Sequence, residues 1–257
     1  MPHMMDDFPL KMSTLYDQAV RLYPNSEIVS VESDGSVFRS DYATVDDRIR
    51  RLASALESEL GVPSGGAVGT FAWNNRRHHE VYWATANSGR ICHTLNIRLF
   101  PEQLTYIVNH GQDQVVFVDP DLVDLIAPVA DTFQSVRAFV IMGDSTEGMD
   151  LPNAIAYEDL ISRAQPMTEW PDVDERDPLM YCYTSGTTGN SKGVAYTHRS
   201  TYVHTISNLA NLPIAASDNV LPSFRCFTPP RGGFTFMATV RGAKITLPGP
   251  DLSPEGL

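Results

Sequence analysis

Three apolar runs separated by helical segments decide the fold: AVGTFAW (67–73), RICHTL (90–95) and QVVFVD (114–119). The first two flank RRHHEVYWATAN (76–87), which has the length and composition of a helix. QVVFVD is almost continuously apolar, which is typical of a parallel strand covered on both faces. This alternation predicts a doubly wound α/β fold, with mostly parallel sheets, flanking helices and right-handed crossovers.

The same rhythm continues on both sides of this segment. Upstream, residues 27–39 have the pattern of a hairpin whose turn is Asp34-Gly35, and an amphipathic helix is predicted over about 44–60. Downstream lie two further helical segments and a strand: PEQLTYIVNH (101–110), DLVDLIAPVADTF (121–133) and VRAFVIMG (136–143). The first of these helices opens on a proline and is followed by Gly111.

The chain is predicted to divide into three parts. Residues 1–143 form an N-terminal α/β subdomain, and 144–176 form a connector rich in proline and carboxylates with one short helix near 157–163. Residues 177–257 begin a second α/β subdomain. The final residues, LPGPDLSPEGL, follow a strand-like run without a closing element, which suggests a chain that stops within a domain.

Composition excludes several classes of partner. The 19 lysines and arginines against 31 carboxylates give a net charge of −12, and no basic run is present. This balance argues against nucleic acid or an anionic membrane surface as a partner. No apolar stretch approaches the roughly 18 residues of a membrane helix. Three widely spaced cysteines (Cys92, Cys182 and Cys226) indicate reduced thiols, and a cytoplasmic location is predicted.

One loop carries the chemistry. A strand over 179–183 runs into TSGTTGNSKG (184–193), and a second strand over 194–196 leads to a helix capped by Thr197. Glycines allow backbone N–H groups to face an anion, hydroxyls add donors, and Lys192 adds positive charge. The loop is not a Walker A motif, because Ser191 stands where the second glycine should be. A surface hairpin with a solvated lysine is the alternative interpretation.

The run YTSGTTGNSKGVAYTHR (183–199) resembles the signature of the adenylate-forming enzymes, which include acyl-CoA synthetases, luciferases and peptide-synthetase adenylation domains. It departs from that signature at Ser191, where the family usually has proline. FAWNNRRHHEVYWA, HTLNIRLFPEQLTYIVNHGQDQVVFVDPDL and GAKITLPGPDL are similar to the medium- and long-chain fatty-acid–CoA ligase branch. The family chain is about twice as long, so the resemblance implies an incomplete portion that lacks the small C-terminal domain and its adenylating lysine.

The resemblance implies an acid–CoA ligase (AMP-forming). Such an enzyme activates a fatty or related carboxylic acid with ATP to an acyl-adenylate and then to acyl-CoA, and it requires ATP, Mg²⁺ and CoA. By resemblance, the phosphate-binding residues are Thr184, Ser185, Gly186, Thr187, Thr188, Gly189 and Lys192. Thr184 would also bind Mg²⁺ together with a glutamate further downstream in the family, and no residue of this chain is assigned as catalytic.

The segment SFRCFTPPRGG (223–233) does not fit the resemblance, because its prolines and arginines suit neither a helix nor a strand. The family has VVPMFHAAAWG or a close variant here, lining the acid and nucleotide groove. A coding sequence for VVPMFHAAAWG read one base later yields SFRCFTPPRGG at all eleven positions, so we hypothesise a short out-of-frame window. Taken as written, Phe227 and Thr228 are the candidate groove residues, and a divergent surface loop is the alternative.

Two other functions stay open at this point. The chain could be non-catalytic and bind nucleotide weakly, or it could belong to another adenylating enzyme of the luciferase or peptide-synthetase type. The partners implied are a small carboxylic acid, ATP and CoA, and relatives suggest a homodimer.

The histidines are expected to serve structure rather than chemistry. His78 and His79 are predicted on a solvated helix face, since no further metal ligand lies at suitable spacing. His93 is expected to be structural or dimer-related, as the resemblance implies. His198 could contact phosphate at a helix start, but capping and packing explain it equally well. Trp73-Asn74 is interpreted as a core tryptophan with an asparagine turn.

Overall fold

The computed structural model describes residues 8–184, 191–222 and 229–252, with residues 229–232 described by their backbone. The helices are α1 Met12–Leu22, α2 Tyr42–Ser58, α3 Arg76–Asn87, α4 Pro101–Gly111, α5 Val123–Ile126, α6 Tyr157–Arg163, α7 His198–Asn211 and α8 Pro229–Val240. The strands are β1 Glu27–Val31, β2 Val37–Asp41, β3 Ala67–Phe71, β4 Ile91–Thr94, β5 Asp113–Val118, β6 Ala138–Ile141, β7 Ala154–Ala156, β8 Pro178–Thr184, β9 Lys192–Thr197, β10 Asn219–Val220 and β11 Lys244–Leu247.

The larger sheet has the order β7-β6-β5-β3-β4-β8-β9 and confirms the doubly wound α/β fold. All neighbours are parallel except β8 and β9, which form an antiparallel hairpin at one edge. Alternate side chains of β5 face opposite cores: Val115 and Phe117 join one cluster, whereas Val116 and Val118 join the other. Both faces of the sheet are therefore covered, as the apolar run predicts.

The smaller sheet, β10-β11-β1-β2, joins distant parts of the chain. The predicted hairpin forms as β1 and β2, and its turn includes Gly35 at φ +81°. β11 then pairs parallel to β1, with Ile28 opposite Ile245. Helix α3 contacts β1 of this sheet and β4 and β8 of the larger one, so it lies between the two sheets.

The sheets do not follow the three-part division predicted at residues 143/144 and 176/177. The connector contributes β7 and α6, and the bounds of α6 match the predicted short helix, Tyr157–Arg163. Strands β8 and β9 extend the larger sheet, and β10 and β11 extend the sheet that β1 and β2 begin. Residues after 177 thus complete sheets started by the first part of the chain.

Two predicted elements differ in kind from the structure. The segment 223–233 is predicted to be neither helix nor strand, yet α8 begins within it at Pro229. A proline in the first turn of a helix loses no bond there, because its missing N–H would have no intrahelical acceptor. The segment 121–133 is not one helix but short 3₁₀ turns around the four-residue α5, and Pro128 interrupts the backbone ladder.

A partly buried group of ion pairs, here called the ionic cluster, ties α2, α3 and α6 together. Glu80 of α3 has no exposed side-chain surface and binds Arg48 Nε through Oε1 at 2.7 Å. Glu158 accepts from Arg48, Arg76 and Arg77 at 2.8 to 3.1 Å. Its other members are Glu32, Asp144 and the hydroxyl of Tyr157.

A search of the helices in the described parts of the chain found no candidate for a membrane span.

Candidate phosphate-binding hairpin

The β8–β9 hairpin brings the two ends of the glycine-rich loop together. Thr184 ends β8 and Lys192 begins β9, and the two residues are directly opposite each other in the ladder. Both side chains are exposed at the carboxyl end of β8. The five residues predicted to surround phosphate, Ser185, Gly186, Thr187, Thr188 and Gly189, lie outside the described residues, as do Phe227, Thr228 and Cys226. In the described part of the site, the residues that carry the Thr184 hydroxyl and the Lys192 ammonium group are therefore directly paired between the two strands.

Lys192 differs from the other two lysines of the chain in its electrostatic surroundings. Lys11 is paired with Asp172 and Lys244 with Glu27. Lys192 forms no ion pair with any residue that the structure describes. An exposed cation without a carboxylate partner keeps its charge available for an anion from solution.

The base of the hairpin is fixed in the core. Met180 and Cys182 of β8 are buried, and the side of β8 away from β9 pairs with β4. Burial raises the pKa of the Cys182 thiol to about 11, and its Sγ lies 3.6 Å from Thr94 Oγ1. Cys92 and Cys182 are both buried, as expected for thiols of structural function.

The helix after β9 begins as its sequence predicts. Thr197 Oγ1 accepts the backbone N–H of Ser200 at 3.1 Å, which forms the N-terminal cap of α7. His198 is buried, and its Nδ1 accepts the backbone N–H of Met12 at 3.4 Å. Burial lowers the pKa of His198 to about 4, so its imidazole is neutral at physiological pH. Of the two interpretations of His198, the structure supports packing rather than a phosphate contact.

Tyr183, the residue before Thr184, makes contacts that the sequence did not reveal. Its hydroxyl lies 2.6 Å from Nδ1 of His110 in the last turn of α4. Its ring lies 4.9 Å, centroid to centroid, from that of His93. Across the ladder it faces Gly193, where a Cβ would come within 3.0 Å of the tyrosine ring. In the sequence, Gly193 after Lys192 is the one sign of this contact, because a glycine allows another group to approach the backbone closely.

At a second position where this fold class often binds ligands, polar groups of the protein hydrogen-bond to one another. The strand order reverses between β3 and β5, and crevices at such points often bind ligands. Here buried Asp119 accepts from the Trp73 backbone N–H at 2.6 Å and from Asn75 Nδ2 at 2.8 Å. Burial raises the pKa of Asp119 to about 7. Trp73 is partly exposed and donates Nε1–H to Asp121, so it is not the core tryptophan expected.

The prediction that His78 and His79 face solvent is wrong. Both are buried, because α3 lies between the two sheets and has no solvent face. His78 contacts the Trp73 carbonyl through Nδ1 and Thr70 Oγ1 through Nε2, at 2.9 and 3.0 Å. Burial lowers the pKa of His78 to about 4 and that of His79 to about 3, so both are neutral.

Thr184, the predicted Mg²⁺ ligand, is an exposed residue at the end of β8. Within residues 8–184, 191–222 and 229–252, no three His, Cys, Asp or Glu side chains are grouped to hold a metal ion. Mg²⁺ prefers hard oxygen ligands and usually keeps several waters while bridging one or two protein oxygens and substrate phosphates. A single exposed hydroxyl at the edge of a phosphate loop is compatible with that requirement.

Comparison with known proteins identifies relatives for almost the whole chain. The family model for AMP-binding enzymes matches residues 16–256. The chain is 43% identical over 253 residues to the 3-methylmercaptopropionyl-CoA ligase of Ruegeria lacuscaerulensis, covering 97% of this chain and 47% of that protein. It is also 43% identical over 252 residues to the medium-chain-fatty-acid–CoA ligase of Ectopseudomonas oleovorans, covering 96% and 46%.

The fold agrees with that of a solved structure. The long-chain-fatty-acid–CoA ligase of Archaeoglobus fulgidus superposes with a TM-score of 0.81 at 18% identity, over 95% of this chain and 48% of that chain. The chain spans about half the length of the curated relatives it matches, as expected from the resemblance. The family match over residues 16–256 shows that this chain belongs to the AMP-binding enzymes.

Proposed function

We propose that this chain contributes the ATP-phosphate-binding part of an AMP-forming acid–CoA ligase acting on a fatty or related carboxylic acid. The observation that carries the proposal is the position of Lys192, exposed, without an ion-pair partner in the described structure and opposite Thr184 at the end of β8. Relatives named as CoA ligases, each 43% identical to this chain, support the reaction type. A cytoplasmic location and a homodimer stay predictions from the sequence.

The hairpin would stabilise charge during attack of the carboxylate on the α-phosphate of ATP. That step forms a P–O bond to the acid and breaks the bond to pyrophosphate, so negative charge gathers on the leaving group. Lys192 would pair with this pyrophosphate, while Ser185 to Gly189 would donate hydrogen bonds to the phosphates. Mg²⁺, when bound beside Thr184, would supply further charge neutralisation.

The second half-reaction would transfer the acyl group to CoA. The CoA thiol attacks the acyl carbonyl, AMP leaves, and the acid is retained as a thioester. The names of two relatives, a 3-methylmercaptopropionyl-CoA ligase and a medium-chain-fatty-acid–CoA ligase, support an aliphatic acid of short or medium length as substrate. Phe227 and Thr228 stay the proposed groove residues.

The proposal is tested by binding of Mg²⁺–ATP to the 257-residue chain, measured by isothermal titration calorimetry. Lys192→Ala should weaken binding roughly tenfold to hundredfold, because it removes a charge-assisted contact with phosphate. Lys244→Ala is the matched control, since this lysine lies in the other sheet and is paired with Glu27. It should leave the affinity unchanged.

The competing function, weak nucleotide binding without catalysis, is tested by acid-dependent ATP–pyrophosphate exchange. We expect no detectable exchange by this chain alone, which spans about half of the relatives' length. Exchange stimulated by a medium-chain fatty acid would exclude the non-catalytic alternative. Equal loss of ATP affinity in Lys192→Ala and Lys244→Ala, or no binding by the wild-type chain, would argue against the proposed site.

A further inference from the structure

The strand residue that precedes the phosphate loop is held from outside the hairpin. Tyr183 shares a hydrogen bond with His110 Nδ1 at 2.6 Å, and its ring packs on His93 at 4.9 Å with an interplanar angle of 36°. His110 also contacts Tyr106, one helical turn earlier in α4, at 5.4 Å between ring centroids. The end of β8 is therefore connected by side chains to both α4 and β4.

The surface beneath Tyr183 is rigid. His93 is completely buried, and its Nδ1 lies 2.9 and 2.8 Å from the two carboxylate oxygens of Asp113, which is also fully buried. A Cβ on Gly111 would come within 2.9 Å of the His93 ring, so the backbone closes tightly over it. The His93 ring is thus fixed by a carboxylate on one side and by backbone on another. Because the Tyr183 ring packs on it, Tyr183 also has one defined position.

The position of Tyr183 is transmitted to the loop through Gly193. Two ring atoms and the hydroxyl oxygen of Tyr183 lie 3.0 to 3.2 Å from the place a Gly193 Cβ would occupy, so the tyrosine side chain lies directly over the β9 backbone. Gly193 is the immediate neighbour of Lys192, and Tyr183 is the neighbour of Thr184. One ring thus touches the backbone next to both functional side chains.

We infer that Tyr183 is a positioning residue for the phosphate hairpin: seated on His93 and bonded to His110, it fixes Thr184 and Lys192 relative to the larger sheet. The expected effect on ATP affinity rests on the proposed function. Its structural part, the anchoring of β8 and β9, does not depend on any ligand. The two parts therefore allow separate measurements.

Anchoring is tested by hydrogen–deuterium exchange of the chain without nucleotide. Tyr183→Phe keeps the ring and removes the bond to His110, so amides of β9 should exchange about fivefold faster, which corresponds to the loss of one hydrogen bond. Tyr181→Phe is the matched control: Tyr181 is two residues earlier on β8, and its hydroxyl bonds to none of the described residues. Amides of β3 and β5 should be unchanged in both variants.

The partner residue is tested by rescue. His110→Phe should raise the exchange rate of β9 as much as Tyr183→Phe does, and the double variant should add nothing, because both changes remove the same bond. His110→Asn retains a polar atom near the position of Nδ1 and should restore slow exchange. His110 is exposed, so these variants are not expected to impair folding.

Positioning is tested by the affinity for Mg²⁺–ATP, together with the midpoint of urea unfolding. Tyr183→Phe and His110→Phe should weaken ATP binding about fivefold while the midpoint falls by no more than the loss of one hydrogen bond allows, and His110→Asn should recover the affinity. Equal exchange rates in Tyr183→Phe and Tyr181→Phe would overturn the anchor. Faster exchange with unaltered ATP affinity would overturn the positioning role. A wild-type chain that does not bind ATP would refute the proposed function, and the exchange rates alone would then decide the anchor.

Discussion

The ionic cluster and the phosphate hairpin use positive charge in opposite ways. In the cluster, Arg77 is buried, Arg48 is partly buried, and each binds two or more carboxylates. In the hairpin, Lys192 is exposed and has no carboxylate partner in the described structure. The first arrangement connects helices, whereas the second leaves a charge to be satisfied from solution.

The difference follows from the environment of each cation. A buried charge loses its hydration, and only close opposite charges and hydrogen bonds offset that loss. An exposed ammonium group keeps its hydration and needs no partner for stability. Removing a charge should therefore reduce stability in the cluster and ligand affinity in the hairpin.

The largest effect is expected from Glu80→Gln. Glu80 is fully buried and accepts from Arg48 Nε at 2.7 Å and from the Tyr157 hydroxyl at 2.6 Å. The substitution leaves buried guanidinium charge without full compensation, which should lower the free energy of unfolding by about 3 kcal/mol. Urea denaturation followed by circular dichroism measures this change.

The matched control is Asp47→Asn. Asp47 pairs with Arg51 one turn away on the exposed face of α2, so its loss should cost less than about 0.5 kcal/mol. If both variants changed stability by the same amount, burial would not distinguish the cluster from surface pairs.

A pH dependence of stability is the next effect in size. Glu158 lies among three arginines, and although partial burial opposes ionisation, their bonds lower its pKa from 4.5 to about 2. Because the folded pKa is lower than the unfolded one, the stabilisation is present above about pH 4.5 and is lost as the pH falls toward 2. The loss should approach 2 kcal/mol, with allowance for the partial exposure of the side chain.

The measurement compares wild type with Glu158→Gln in urea at several pH values from about 6 to 2.5. The variant cannot ionise at this position, so the stability difference should shrink as the pH falls. A difference that stays constant over the whole range would show that Glu158 is not the titrating group.

The elements with local sequence signals were predictable, and those that depend on distant pairing were not. Strands β3, β4 and β5 follow from continuous apolar runs, and the Thr184–Lys192 hairpin follows from its turn residues. The parallel pairing of β1 with β11 joins residues more than two hundred positions apart, and nothing in either strand specifies the other. Topology of this kind is set by the packing of the whole chain.

The sequence pattern also failed to predict which polar residues are buried. RRHHE at the start of α3 has the composition of a solvated helix face, yet every residue of α3 is buried. Arg76, Arg77 and Glu80 are buried because partners arrive from β1, α2 and α6, far away in sequence. Similarly, the seat of Tyr183 is built from His93 and His110, which carry no sign of that contact in their local sequence.

The smallest effect on stability, and the sharpest contrast with the cluster, is expected from Lys192→Gln. Because the ammonium group is exposed and has no ion pair in the described part of the chain, its loss should change the free energy of unfolding by less than about 0.5 kcal/mol. The affinity for Mg²⁺–ATP should nevertheless fall, and it should become less sensitive to salt between about 0.05 and 0.5 M, since one screened attraction is removed. Calorimetric titrations at several salt concentrations, beside urea unfolding of the same samples, measure both quantities. A variant that lost stability in parallel with affinity would show that Lys192 stabilises the fold, as the cations of the ionic cluster do. The hairpin and the cluster would then differ in the exposure of their cations but not in what those cations do.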